Sequence, residues 1–351
     1  MTHLPFLLEF FAWSSVAAIL FFALEPLFVR FLKKIKFQKK IRARTLDGQK
    51  SEIFAKLHAK KAGTPTGGGV LIVAIVAAII GFSRVLSFFG ILEKSLLQRG
   101  EIYLPLFTLI SVGILGAIDD FLNVRERGKT KGLSAKMKMI FLIFFATLAA
   151  IWFQFKLNFT AVSIPFFGVA DFGIFFFPFL IFLIVGVSNA VNFTDGLDGL
   201  AAGILLQNFL VFAILSFIRG QFFLAIFCGI LVATLLAFLW FNLPPAKFFM
   251  GDAGALSLGA TLAIIAAFTD TLFILPFTGF IFLVEILSVI LQLSSKRFRG
   301  KKIFHAAPIH HHFEKLNWSE TQIVGRFWIL NGIFCGIGFL IAVLQFRIFG
   351  I

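Results

Sequence analysis

Cysteine is almost missing from this chain. The two that occur, Cys228 and Cys335, stand in separate apolar runs with no second thiol nearby in sequence, which excludes a disulfide framework and a cysteine-type zinc site and leaves both as packing residues. Charge is scarce as well, 14% of residues against 59% hydrophobic, and the mean hydropathy is +0.98. That balance excludes a soluble globular domain. No basic segment precedes the first apolar run and no small-residue cleavage site follows it; the run is also too long for a signal-peptide core, so it reads as a retained transmembrane helix. There is no internal repeat of the kind that pairs the halves of a secondary transporter. Nor is any stretch left over for a soluble domain, and residues 1–351 read as a single polytopic transmembrane domain.

What is abundant is phenylalanine, 52 of 351 residues, within runs long enough to cross ~30 Å of hydrocarbon. About ten such runs can be marked: 6–32, 68–90, 102–122, 138–156, 174–192, 199–218, 222–242, 255–269, 271–294 and 326–347. The eighth is short, and its boundary with the ninth falls near Thr269 and Asp270. The expected fold class is an all-α integral membrane protein of about ten transmembrane helices. Basic residues set its orientation. Lys33, Lys34, Lys36, Lys39, Lys40, Arg42, Arg44, Lys50, Lys56, Lys60 and Lys61 follow the first span and nothing basic precedes it, which places both termini on the extracytoplasmic side and the odd-numbered loops in the cytoplasm. Two further cytoplasmic loops are basic, through Arg125, Arg127, Lys129, Lys131, Lys136 and Lys138 and through Lys296, Arg297, Arg299, Lys301 and Lys302. The net charge of +15 is then a property of the cytoplasmic face, explained by topology and anionic membrane lipid with no nucleic acid required.

The unusual polar stretches fall in those same cytoplasmic loops or at the adjoining helix ends: HAKKAGTPTGGG (58–69), GAIDDFLN (116–123) with KTKGLSAKMK (129–138), NAVNFTDGLDGLA (189–201), FNLPPAKFFMGDAGALSLG (241–259) and APIHHHFEKLNW (307–318). Ordinary connections would not gather such chemistry on one side, so one site assembled from five loops, on the cytoplasmic face, is the economical explanation. Its carboxylates are Asp119 and Asp120 at the end of a span, Asp195 and Asp198 three apart and so on one helical face, and Asp252 in Met-Gly-Asp. Acids so concentrated need a cation; oxygen donors with lysines nearby, and no matching cysteines, favour Mg²⁺ over zinc. Helix capping is the plainer reading of Asp195 and Asp198, but it leaves the other acids on the same face unexplained.

Bare N–H groups of Gly63, Gly67, Gly68 and Gly69 before a span, with Thr64 among them and Lys60 and Lys61 preceding, suit an anionic ligand, where the plainer reading is a flexible turn. Most lysines of 129–138 read as topology signals, with Lys131 and Lys138 selected as diphosphate partners. His310, His311 and His312 are consecutive and cannot all face one metal ion from a regular helix. They suit a loop bonding a phosphate-rich substrate from several sides, Glu314 orienting one of them. Glu285, inside the ninth span, either pairs within the bundle or borders a lipid groove.

GTPTGGG, DDF, KGL, NAVNFTDGLDGLA, FMGDAGALSLG and APIHHHFE occur in the order and near the spacing found in the bacterial phospho-N-acetylmuramoyl-pentapeptide transferases, and the chain resembles that family over nearly its full length. The resemblance implies a Mg²⁺-dependent enzyme of the bacterial cytoplasmic (inner) membrane. It would move a sugar phosphate from UDP-N-acetylmuramoyl-pentapeptide to undecaprenyl phosphate, giving lipid I and UMP in the first membrane step of peptidoglycan synthesis, and a homodimer is implied as well. By motif, Asp119 and Asp120 correspond to the family's catalytic aspartate pair and Asp252 to its Mg²⁺-binding aspartate. Asn189, Asn192, Asp195 and Asp198 correspond to the nucleotide-side segment and Phe249 to an aromatic near the uracil, while the three histidines, His311 among the catalytic residues, line the same cleft. Three positions depart from the pattern: Gly67 stands where the family usually has Met, and Ala253 and Ala255 where it has Thr and Ser, which removes two hydroxyls beside the metal-binding aspartate.

In the implied chemistry Mg²⁺ on Asp252 and a lysine stabilise the diphosphate and the departing UMP. Asp119 or Asp120 binds or deprotonates the lipid phosphate for in-line attack, or else forms a phosphoryl-aspartate; neighbours on a helix point about 100° apart, so the two differ in role. Competing readings are a sister transferase using a simpler UDP-N-acetylhexosamine, against which the triple histidine argues, and a transporter or nucleotide-sugar carrier. A carrier predicts ionisable residues near the midplane of several spans rather than on one face.

Overall fold

The computed structural model describes residues 4–38, 61, 63–98, 100–125 and 132–349. Eight helices in them are long and apolar enough to cross a membrane. They are α1 (Leu4–Lys34), α2 (Gly68–Phe88), α3 (Gly100–Val124), α4 (Ala135–Ile151, prolonged by a π-turn over Trp152–Lys156), α5 (Phe176–Thr194), α6 (Leu200–Ile218), α7 (Phe222–Asn242) and the last helix, Glu320–Phe349. These coincide with expected spans one to seven and ten.

The remaining two differ from simple spans, each for a physical reason. Helix α8 (Asp252–Phe268) has 17 residues, about 25 Å at 1.5 Å per residue, less than the hydrocarbon thickness. Every residue from Ala253 to Ala267 is buried, so α8 faces protein on all sides and has no lipid thickness to match. Its Ala, Gly and Ser content lets α2, α3 and α5 come close around it. The expected ninth span is not straight: a 3₁₀ turn (Leu272–Ile274) and short α9 (Leu275–Thr278) meet α10 (Phe280–Arg299) at 85°. Backbone groups at such a break need partners. Asn331 provides them, donating to the Thr278 carbonyl at 3.1 Å and accepting from Ile281 N–H at 3.3 Å. After α10 come α11 (Ile309–Lys315) and α12, the last helix already described.

The chain alternates between two ends of this bundle. At one end α1, α3, α5, α7 and α10 finish and α2, α4, α6, α8 and α12 begin, as cross-loop bonds such as Lys61 to Asp198, Lys138 to Asp252 and Ala246 to Asp198 require. At the other, a hairpin of β1 (Ala161–Ile164) and β2 (Gly168–Asp171), antiparallel with Ala161 opposite Asp171, covers the turn after α8. Asp270 holds it, accepting from Ser163 N–H at 3.0 Å and from the Ser163 hydroxyl, with Arg219 4.0 Å away. Replacing Asp270 with alanine strands these donors at a half-buried site and is expected to cost about 1–3 kcal/mol. Thermal unfolding in detergent should shift down while the substrate KM, set at the far end, stays at its wild-type value; a raised KM would tie the hairpin to the site.

Candidate functional site

Four helices bring a charged cluster together. Asp119, fully buried in the last turns of α3, accepts from Leu133 N–H at 2.7 Å and from the Asn123 amide, one turn on, at 2.6 Å. Lys138, in the first turn of α4, places Nζ 2.5 Å from Asp119 Oδ2 and 2.6 Å from Asp252 Oδ2. Asn192, near the end of α5, donates to Asp252 Oδ1 at 3.1 Å. Asp120 faces another way, as 100° of helical rotation requires. Its two oxygens accept from the N–H groups of Asp252 and Ala253, both at 3.2 Å, so it satisfies amides at the N-terminus of α8 from a neighbouring helix.

A second network adjoins the first. Asp198 Oδ1 takes Lys61 Nζ at 2.7 Å and its Oδ2 takes Ala246 N–H at 3.0 Å, while Glu320 Oε1, at the start of α12, takes both Lys61 Nζ at 2.5 Å and Asp198 N–H at 2.7 Å. Asn242 joins the same turn to the α7–α8 loop, accepting from Gly199 N–H at 3.0 Å and donating to the Phe248 carbonyl at 2.9 Å. Asp195 and Asp198 do not share a helical face as expected. Asp195 is the C-cap of α5, Asp198 lies in the turn before α6, and Gly199 at φ 78° separates that turn from the helix. Asn189 stays outside both networks, its amide bonded to the Val185 carbonyl one turn back.

The glycine-rich loop also works differently from the expected anion cradle. Gly68 and Gly69 donate their N–H groups, each at 2.8 Å, to the carbonyls of Phe249 and Met250, and Phe249 N–H returns a bond to Pro65 at 2.9 Å. The loop therefore pins the segment before Asp252 and leaves those two amides no anion to bind. Half-buried Phe249 is held beside Thr64, Pro65 and Thr66 by the same ladder. Gly67 at φ 98° occupies the left-handed region, which accounts for glycine in place of Met; Ala253 and Ala255 are completely buried among close-packed helices.

The three histidines open α11 rather than forming a loop, and so diverge. His310 turns inward, Nδ1 3.0 Å from Glu285 Oε1, both side chains buried. Glu285 thus pairs within the bundle. Burial opposes the charged form of His310, but the Glu285 carboxylate outweighs it and raises the pKa above the ordinary imidazole value. His311 Nδ1 lies 2.6 Å from Glu314 Oε2, the orienting contact expected from the sequence. His312 Nδ1 accepts from His305 N–H at 3.2 Å, and burial together with His305 lowers its pKa. Lys131, Lys60 and the basic residues between 39 and 60 lie outside the described residues.

Glu320, Asn242 and Asn123 were not singled out from the sequence. Asn123 carried a signal, one helical turn after Asp119; Glu320 and Asn242 act across loops and had none. Among the described residues no group of three or more His, Cys, Asp or Glu side chains is set to hold a metal ion. What the site offers is two carboxylates, Asp119 and Asp252, converging on one ammonium group. A place built for positive charge between oxygen donors fits Mg²⁺, which is commonly held by one or two carboxylates with substrate phosphates and water.

A profile of glycosyl transferase family 4 matches residues 102–270, which include Asp119, Asp120, Lys138, Asn192, Asp198 and Asp252. Along the chain as a whole it is similar to phospho-N-acetylmuramoyl-pentapeptide-transferases. That of Clostridium perfringens strain 13 is 41% identical over 317 residues, 90% of this chain and 93% of the relative. The Staphylococcus aureus (strain bovine RF122) protein is 39% identical over 340 residues, covering 95% and 99%. The protein from Thermodesulfovibrio yellowstonii is 39% identical over 331 residues, covering 88% and 86%.

Proposed function

Because the chain belongs to the phospho-N-acetylmuramoyl-pentapeptide-transferase family, we propose that the charged end of its helical bundle is where that transfer takes place. The enzyme moves phospho-N-acetylmuramoyl-pentapeptide from UDP-N-acetylmuramoyl-pentapeptide to undecaprenyl phosphate, forming lipid I and UMP, and is a multi-pass protein of the bacterial inner membrane. The observation that carries the placement is the Lys138 ammonium held between Asp119 and Asp252. Two phosphates that must meet repel each other, and fixed positive charge at their meeting point stabilises the transition state.

In this reading Asp252, with Asp119 beside it, would hold Mg²⁺. The bound ion would supply Lewis-acid stabilisation for the diphosphate and for the leaving UMP. Lys138 neutralises phosphate oxygens. Asp119, buried and hydrogen-bonded to Leu133 and Asn123, is the carboxylate for the lipid phosphate: it accepts that group's proton while a phosphate oxygen bonds to the sugar-linked phosphorus and the bridging P–O bond to UMP breaks. Asp120 is a positioning residue that sets the start of α8. Lys61, Asp198, Asp195, Asn192 and Phe249 form the nucleotide side with Thr64 next to them; His310, His311 and His312 border it, and Asn189 lies at its periphery. Lipid reaches the site because these groups sit at the end of membrane-crossing helices, where a polyprenyl phosphate keeps its head in water and its tail among apolar side chains.

Ten passes with the site in the cytoplasm is the arrangement this reading takes, supported by the alternation of helix ends and by where the basic residues fall. The last turns of α1 and α10, with Lys33, Lys34, Lys296, Arg297 and Arg299, lie at the site end. The chain acts as one domain, and the family resemblance extends the reading to a homodimer, measurable as mass in detergent. Purified protein with undecaprenyl phosphate, UDP-N-acetylmuramoyl-pentapeptide and Mg²⁺ is expected to release UMP, and EDTA to stop it. Activity with UDP-N-acetylglucosamine in place of the pentapeptide donor would instead identify a sister transferase.

A further inference from the structure

The Glu285–His310 pair has more polar capacity than the bundle uses. Glu285 is fully buried in α10 and His310 is 1% exposed in α11, yet Glu285 Oε2 and His310 Nε2 each lack a hydrogen-bond partner. Burial of such atoms costs free energy unless something is gained in function. A carboxylate only accepts, so Nδ1, 3.0 Å from Glu285 Oε1, carries a proton, and Nε2, on the other side of the ring, is buried without a partner. Nε2 packs against Gly196: a Cβ built there would lie 2.3 Å from it. Gly196 is exposed in the turn that also carries Asp195 and Asp198, the turn assigned above to the nucleotide. With glycine at that point no side chain stands between the turn and the imidazole edge, and the unpartnered Nε2 lies directly beneath the turn.

We propose that Glu285 is a positioning residue for the donor substrate: it fixes the His310 ring as an imidazolium so that Nε2–H, packed beneath Gly196, is aimed at an anionic oxygen of the nucleotide-sugar diphosphate bound at that turn. This inference rests on the transferase reading. Charged and titratable groups around His310 are Glu285 from α10, His311 and Glu314 on its own helix, Lys61 from the first loop, and Asp195 and Asp198 of the adjoining turn. Glu285 and Glu314 favour the imidazolium and Lys61 opposes it, with a net raised pKa. The donating form therefore persists above the ordinary imidazole range, and anion binding weakens only as pH rises through that raised value.

The test is equilibrium binding of UDP to the purified full-length protein, from pH 6 to 9, together with steady-state UMP release. Glu285→Gln keeps the shape and one acceptor but removes the charge. It is expected to weaken UDP binding about tenfold near neutral pH and to move the alkaline limb of binding down by about one pH unit, raising the donor KM more than it lowers kcat. Glu285→Asp should recover part of the affinity and the wild-type position of the limb. Gly196→Ala, which leaves the Glu285–His310 ion pair chemically intact but drives a methyl group against Nε2, should weaken UDP binding by displacing the imidazole edge. In a His310→Gln background, Glu285→Gln should add no further loss. Wild-type affinity and an unmoved limb in folded Glu285→Gln overturn the inference, as do equal losses in the Gln and Asp variants with the limb unmoved, which would mean packing alone. Failure of the transferase reading looks different: the wild type itself would release no UMP.

Discussion

Asp252→Asn is expected to lower UMP release by at least ~10³-fold while the protein remains folded, monodisperse and thermally as stable as the wild type. Asparagine keeps the volume and one acceptor for Lys138 Nζ or the Asn192 amide, which now lie 2.6 and 3.1 Å from the carboxylate. What goes is the negative charge that makes this position a cation site. Folding should be indifferent because the α8 N-terminus is satisfied by Asp120, not by Asp252. The adjacent control makes the separation sharp. In Asp120→Asn one of the two amides at the start of α8 must face an NH₂ group, so that variant loses about 1–3 kcal/mol of stability as well as activity. Single-turnover UMP release at saturating Mg²⁺, with thermal unfolding of both variants, reads the difference. Turnover in Asp252→Asn above about a tenth of wild type would remove Asp252 from the reacting centre.

The contrast between Asp119 and Asp120 bears on what a sequence can tell. That both belong to the site was legible, since a pair of acids ending an apolar run has few uses. Their different work, one facing Lys138 and the other the amides of Asp252 and Ala253, depends on which helices stand on either side of α3. Helix existence was legible for the same reason membrane topology is: lipid forces each spanning helix to advertise its length in apolar residues. At buried α8 the same signal placed the helix, as the run 255–269, but not its enclosure by protein; it missed the break repaired by a residue far along the chain, as Asn331 does between Thr278 and Ile281. Pro276 and Gly279 did mark that break locally.

The loops were misread for a related reason. Glycines before a helix suggest exposed amides; in GTPTGGG those of Gly68 and Gly69 are consumed by Phe249 and Met250. Three histidines in a row cannot all face one ion from a helix and suited a loop around a substrate, yet α11 uses the divergence, sending His310 to Glu285, His311 to Glu314 and His312 to the His305 amide. In each case composition located the residues and tertiary partners decided their work.

Gly69→Ala is expected to abolish recovery of folded protein, although it adds a single methyl group. An ideal Cβ at Gly69 would lie 2.0 Å from Gly254 N and 2.3 Å from Gly254 Cα. Both are backbone atoms of α8, so no rotamer change relieves the overlap and α2 must move away. Overpacking that side chains can absorb costs about 1–3 kcal/mol, and a backbone collision costs more. Gly116→Ala should behave alike, its Cβ falling 2.3 Å from the Asp252 carbonyl oxygen. Any fraction of it that folds should be inactive, because moving α3 off α8 separates Asp120 from the amides it caps and Asp119 from Asp252, with which it shares Lys138. Gly113→Ala, one turn earlier on α3, meets a Val73 methyl at 3.1 Å, a side chain that can give, and should be intermediate. Gly81→Ala on α2 meets nothing within 4 Å and should match the wild type. Monodisperse yield and thermal midpoint across the four variants test the series. A wild-type midpoint for Gly69→Ala would mean that α2 and α8 are not in backbone contact, and with that contact would go the anchoring of the Asp252 segment by the glycine-rich loop.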